Sequence, residues 1–139
     1  MRRYVHETET ALPPDTLFRA IAAIDRWPDW DAELEAVAID EPVRAGARFS
    51  LKPKGGPKVR MRIEIAEAPD QFVDVALLPF ARMRTSHSFT ATGKGAIVRV
   101  VIEVWGPLAF LWDRVVARKQ ADGAEAQTRR FLAFAQSQS

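Results

Sequence analysis

Lys58-Val59-Arg60-Met61-Arg62-Ile63-Glu64-Ile65 alternates charge and hydrocarbon without a break. Successive side chains of a strand point to opposite faces, so Val59, Met61, Ile63 and Ile65 share one face while Lys58, Arg60, Arg62 and Glu64 share the other. One side meets a core and the other meets water. Downstream, Ala68-Pro69-Asp70 reads as a turn, and strands follow at Phe72 to Leu78, at Met83 to Ala91 after Pro79, and at Ala96 to Trp105 after Gly93-Lys94-Gly95. Hairpin loops commonly hold about two to five residues, so this spacing predicts an antiparallel meander of four strands. Val73, Val75, Val98, Val100 and Ile102 are placed inward, and Phe72, Ala76, Leu78, Ile97, Val101 and Trp105 outward.

Gly106-Pro107 ends the sheet and opens a helix predicted to run to about Ala135, because proline is tolerated in a first helical turn. Its apolar stripe passes through Leu108, Trp112, Val115, Val116, Ala124, Phe131 and Ala135, and drifts around the helix as expected for one laid across a curved sheet. Gly123 costs about 1 kcal/mol relative to alanine inside a helix, which predicts a kink or a close approach to the sheet there.

Upstream of the opening stretch, Glu35 to Asp40 and Ala45 to Pro53 read as two strands joined around Glu41-Pro42-Val43-Arg44, with Phe49 and Leu51 inward. Asp25 to Asp31 reads as a short helix broken by Pro28, with Trp27 and Trp30 on one side of a turn. Pro13-Pro14-Asp15 opens an earlier short helix that carries Leu17, Phe18, Ile21 and Ile24 at helical spacing. Tyr4 to Leu12 alternates as a first strand, with Tyr4, His6, Thr8, Thr10 and Leu12 on one face.

The chain of 139 residues suits one domain, residues 1–139, able to bury a core. Twenty Lys and Arg against eighteen Asp and Glu give no strong positive field, so no nucleic-acid partner is expected. Cysteine is absent and there are two histidines, which removes disulfides and thiolate chemistry and leaves no metal site. Gly55-Gly56 and Gly93-Lys94-Gly95 fall in hairpin turns rather than phosphate-cradling loops, so no cofactor is expected. No window approaches the ~18 apolar residues of a membrane span. Met1 to Glu7 lacks the apolar core of a signal peptide, and the expected location is the cytoplasm.

Leu12-Pro13-Pro14-Asp15-Thr16-Leu17-Phe18 entering the first helix, Trp27-Pro28-Asp29-Trp30 closing the second and Gly106-Pro107-Leu108 opening the last occur in this order. With them the chain resembles the START and Bet v 1-like (SRPBCC) superfamily, and within it the branch named for polyketide cyclases, dehydrases and lipid transport. Gly95-Ala96 departs from the Gly-Thr pair frequent at that hairpin. The resemblance implies an α+β helix-grip fold: a curved antiparallel sheet of about seven strands wrapped around a long C-terminal helix, with two short helices after the first strand. It also implies an internal cavity for a small hydrophobic ligand such as a lipid, polyketide or aromatic metabolite. A helix spanning a curved sheet cannot touch it everywhere, so side chains or a ligand must fill the gap.

On this reading Trp27, Trp30, Met61, Ile63, Val75, His87, Phe89, Val100, Trp112 and Val116 line the cavity. His87, placed inward among Met83, Thr85 and Phe89, is the candidate for proton transfer; its ordinary alternative is a buried histidine satisfied by a neighbour. His6, Thr8 and Thr10 are weaker candidates on the same interior. No carboxylate is placed inside. Ligand binding therefore ranks ahead of a cyclase or dehydrase, which needs convergent polar groups. A protein-interaction module, using the apolar residues assigned to the outer face, is the third reading. A monomer or a homodimer fits each.

Overall fold

The computed structural model describes residues 2–138. β1 (Arg2–Thr10) leads through Pro13 into α1 (Pro14–Ala22), and a 3₁₀ segment at Ile24–Asp29 follows. Next come β2 (Leu34–Ala38), β3 (Arg48–Pro53), β4 (Val59–Glu67), β5 (Gln71–Leu78), β6 (Ala81–Thr92) and β7 (Gly95–Trp105). They form one antiparallel sheet of seven strands in the order β1-β7-β6-β5-β4-β3-β2. Only the β1–β7 pairing joins distant parts of the chain; every other neighbour is a sequential hairpin, as the loop spacing predicts. Pairing shifts at Leu34/Ala36 and at Ile63/Ile65 insert bulges, which bend strands and help to curve the sheet.

The C-terminal helix is broken rather than continuous. α2 (Ala109–Trp112) passes into a π turn at Asp113–Ala117, then α3 (Arg118–Asp122), and after Gly123 the 14-residue α4 (Ala124–Ser137). Of the two outcomes expected at Gly123, the kink is found. A Cβ placed there would meet carbonyl oxygens of Lys119 and Gln120 at 3.5 and 4.0 Å, and nothing from the sheet within 4 Å. α4 lays Phe131, Phe134 and Ala135 into the core, and α1 adds Leu17, Ala20 and Ile21.

Two assignments of facing need correction. In β5 the residues toward the helices are Phe72, Asp74, Ala76 and Leu78, because they pair with the inward His87, Thr85, Met83 and Ala81 of β6. Val73 and Val75 pair with Ser86 and Arg84 and lie on the convex side. Val75 is thus no part of the concave surface, and Phe72, Ala76 and Leu78 are no part of an outer patch. In β4 the bulge at Glu64 turns Ile65 outward, opposite Val73, while Met61 and Ile63 remain inward. Because side chains alternate with period two, one extra residue reverses everything beyond it. The convex face itself carries charge, with Arg84 paired to Glu64 at 2.9 Å and Glu103 at 3.6 Å, and Arg99 to Glu7 at 3.5 Å. The Arg84 guanidinium also lies 4.8 Å from the Trp105 ring centre.

At the β6–β7 turn, Gly95 has φ +151, and a Cβ there would sit 2.1 Å from the Thr10 carbonyl oxygen at the end of β1. Backbone cannot yield as a flexible side chain does. Gly95→Ala should cost more than about 1 kcal/mol, since it adds both a strained dihedral and a clash. Urea denaturation provides the check, and an unchanged midpoint would refute the close approach.

Candidate functional site

Directly paired residues project on the same side of a sheet, so the ladder defines rows across its concave face. One row runs Phe72, His87, Val100, His6 from β5 to β1, and the next runs Ile63, Asp74, Thr85, Ile102, Tyr4 from β4 to β1. Within this apolar surface they bring together the polar side chains of Asp74, Thr85, His87, His6 and Tyr4. His6 Nε2 lies 2.9 Å from Thr8 Oγ1, so this pair is mutually satisfied.

Asp74 is buried, 4% exposed, and no hydrogen bond or ion pair among the described residues reaches its carboxyl group. Burial raises its pKa from 3.8 to about 7, because an unpaired carboxylate is costly to desolvate. His87 shows the complementary effect. Burial lowers its pKa from 6.5 to about 4, offset in part by a hydrogen bond with the Phe72 backbone. The residue keeps some accessible surface, yet Nδ1 has neither solvent contact nor a well-aligned hydrogen-bond partner. At neutral pH the face therefore carries a carboxyl near its titration midpoint beside a neutral imidazole. Such a pair can donate to and accept from an uncharged polar group, or pass a proton.

Aromatic rings close one side of this surface. Trp27 donates from Nε1 to the Ile21 carbonyl at 2.9 Å and packs edge-on against Phe49 and Phe72 at 5.6 and 6.2 Å. Trp30 meets Phe131 of α4 at 5.1 Å, and Phe131 stacks on Phe89 at 6.4 Å. Trp30 Nε1 is buried and unpartnered. Trp112 donates from Nε1 to the Pro79 carbonyl at 2.9 Å and so ties α2 to the β5–β6 turn. Val116 packs part-buried against the core in the π turn, while Ile63 is buried at the β4 end of the second row and Met61 is buried opposite Ala76 in the row beyond it.

Of two small spaces, one borders the concave face and the other lies outside it. A cavity of about 20 Å³ lies among Tyr4, His6, Val100, Ile102, Ala121 and Ala124 beside the helix break. A groove of about 230 Å³ runs outside the aromatic plug between α1 and the end of α4, past Arg19, Arg26 and Phe134. Tyr4 and Asp113, absent from the sequence-predicted site, close the far end: the Tyr4 hydroxyl donates to Asp113 Oδ1 at 2.6 Å, with Arg2 and Arg118 at 3.9 and 3.5 Å. No local pattern signals a contact between residues 109 positions apart.

Residues 1–133 match the family model described as polyketide cyclase / dehydrase and lipid transport. The chain belongs to that family. Among solved structures similar to this member of the polyketide cyclase / dehydrase and lipid transport family is TTHA0849 from Thermus thermophilus, with TM-score 0.76, 16% identity and 99% of each chain covered. Ara h 8.0201 superposes with TM-score 0.72 at 13% identity over 98% of each chain. One half of the di-domain ARO/CYC StfQ from the steffimycin biosynthetic pathway matches as well, with TM-score 0.73 and 17% identity over 97% of this chain and 50% of that one. At such identities the likeness is one of fold, the Bet v 1-like helix grip. No curated protein sequence matches the chain.

Among the described residues no group of three or more His, Cys, Asp or Glu is arranged to hold a metal ion. Among the same residues no helix is long and apolar enough to cross a membrane.

Proposed function

We propose that this family member binds a small, largely apolar, uncharged molecule bearing a hydroxyl or carbonyl group, held between the concave face of β5, β6, β7 and β1 and the broken C-terminal helix. The observation that carries this is the pair of buried polar atoms without a well-aligned partner, His87 Nδ1 and Trp30 Nε1, on the same interior as the Asp74 carboxyl, which no hydrogen bond or ion pair among the described residues reaches. Roughly 90% or more of buried polar groups in native proteins have a partner, so these two atoms and the Asp74 carboxyl are open to a partner from outside the chain. An uncharged ligand is favoured because an added charge would need its own compensation in this setting. The ARO/CYC proteins of the same fold and the family description support a ligand of polyketide or lipid type.

Asp74 favours a second reading, in which the site moves protons on a bound polyketide-like substrate as a cyclase or dehydrase does. A carboxyl group titrating near neutrality can serve as general acid while the neutral His87 imidazole serves as base.

Titration with Nile red, an uncharged apolar fluorophore, tests the first reading. Binding should saturate and be competed by apolar alcohols or ketones, and His87→Gln should weaken the competitor by about one hydrogen bond, roughly 0.5–1.5 kcal/mol. Linear, uncompeted fluorescence would remove the reading. On a substrate the protein converts, the proton-transfer reading expects Asp74→Asn or His87→Gln to lower turnover by about 100-fold or more with little change in binding.

A further inference from the structure

Four large hydrophobic side chains stand exposed at one end of the molecule, far along the strands from the Trp27–Trp30 plug. Phe80 is 72% exposed, Phe110 66%, Val115 45% and Leu111 42%. The Phe80 carbonyl accepts from Leu108 N at 3.0 Å, and Trp112 Nε1 reaches the Pro79 carbonyl at 2.9 Å, so the β5–β6 turn and α2 form one rigid tip. Gly106, at φ +115, allows this contact: a Cβ there would lie 2.9 Å from the Phe80 carbonyl oxygen. Phe80 itself has φ +55, a left-handed conformation that glycine or asparagine adopts far more readily than an aromatic residue. The chain thus holds a phenyl ring out into water, in a strained backbone geometry, beside three further apolar side chains. Backbone strain of this kind is concentrated at sites with a role.

Positive charge predominates around the tip, where Glu103 is paired with Arg84 at 3.6 Å and Asp122 lies near Arg118. Between residues 75 and 102 there is no Asp or Glu, and between 104 and 121 the sole acid is Asp113, which is buried against Tyr4, Arg2 and Arg118. Arg82 wraps the turn by donating to the Leu78 and Ala81 carbonyls at 3.2 and 2.8 Å, while Arg114, Arg118 and Lys119 stand exposed on the helix. We propose that this tip docks on an anionic lipid bilayer, with Phe80, Phe110, Leu111 and Val115 entering the interface and Arg82, Arg114, Arg118 and Lys119 lying against the headgroups.

Size and charge favour this occupant over a second copy of the chain. The four side chains expose roughly 400 Å² of apolar surface, about half of what each partner contributes to a stable protein interface and enough for an interfacial anchor. A two-fold dimer through the tip would also set its cations against their own copies. A bilayer surface carrying negative charge instead attracts each of them and receives the apolar side chains below its headgroups. The inference stands apart from the interior site, since none of these side chains belongs to the polar rows.

Co-sedimentation with vesicles decides it. The protein should pellet with vesicles of phosphatidylcholine mixed with phosphatidylglycerol, much less with pure phosphatidylcholine, and less as salt is raised. Phe80→Asn combined with Phe110→Ser, and separately Arg114→Glu combined with Lys119→Glu, should each lower the partition coefficient by about tenfold or more. Every substituted side chain is exposed, so thermal midpoints near the wild-type value will show that the variants fold. Failure of the wild type to bind the anionic vesicles at low salt overturns the proposal, as does binding that both double variants retain. A dimer in sedimentation velocity that the phenylalanine variant dissolves would assign the tip to self-association and overturn it equally.

Discussion

A chain ending at Arg114 should show no cooperative unfolding transition. The missing part carries Ala117, Ala124, Thr128, Phe131, Phe134 and Ala135, all buried, and it covers the concave face on which Phe72, Met83, Phe89 and Val98 lie. Phe131 gives the scale. It sits between Trp30 at 5.1 Å and Phe89 at 6.4 Å, and removing such a ring alone should cost about 3–5 kcal/mol, as large-to-small changes in packed cores do. Native domains of this size are stable by about 5–15 kcal/mol in all, so Phe131→Ala should leave a weakened fold and the truncation none. Circular dichroism in the near ultraviolet and urea titration provide the measurement. A native-like spectrum with a sharp transition from the truncated chain would make the helix an accessory to a self-sufficient sheet.

The order of elements was legible because each carries its own local signal. β4 shows why: its charged residues occupy one face and its apolar residues the other, so the period alone sets its direction up to the bulge at Glu64. β5 lacks that contrast. Phe72, Ala76 and Leu78 occupy one face and Val73, Val75 and Leu77 the other, so both are apolar, and Asp74, the single polar residue between Phe72 and Leu78, pulls any alternation argument toward placing its own face outside. The turn held the missing information. Counting back from a two-residue Pro79-Phe80 loop puts Leu78 opposite Ala81, hence Asp74 opposite Thr85 and Phe72 opposite His87. An inward His87 then requires an inward Asp74. The error mattered for function, because an interior without a carboxyl group argues for binding alone, and an interior with one admits proton transfer. The Tyr4–Asp113 contact and the unpartnered Trp30 Nε1 depend on how distant elements dock, and no local pattern in the chain encodes that.

Replacing Asp74 by Asn should change the pH dependence of stability from nearly flat to steep between about pH 4 and 6.5, for reasons that follow from proton linkage. The unfolded chain releases the Asp74 proton near 3.8, whereas the folded chain keeps it until about pH 7. Across that window the folded state holds the extra proton, so this group's contribution is fully present below 3.8 and is lost as pH rises through about 7, about 4 kcal/mol in all at about 1.4 kcal/mol per unit. His87 acts in the opposite sense. Its unfolded form binds a proton below 6.5 that the folded form refuses until about pH 4, so its contribution is present above 6.5 and is lost as pH falls through about 4, about 3 kcal/mol in all. Where the windows overlap the two slopes cancel, and the wild type hides both. Asp74→Asn should therefore expose the histidine, with stability climbing by about 3 kcal/mol from pH 4 to 6.5, and should exceed the wild type above pH 7 because no carboxylate remains to be buried. His87→Gln should expose the aspartate, with stability falling toward neutrality, and the double variant should again be nearly flat across the overlap. Urea midpoints at constant m-value, taken at intervals through the window, measure all four curves. Parallel curves for Asp74→Asn and the wild type would mean that the carboxyl group is solvated in the folded protein, and Asp74 would then be lost both as an acid and as a ligand for the bound molecule.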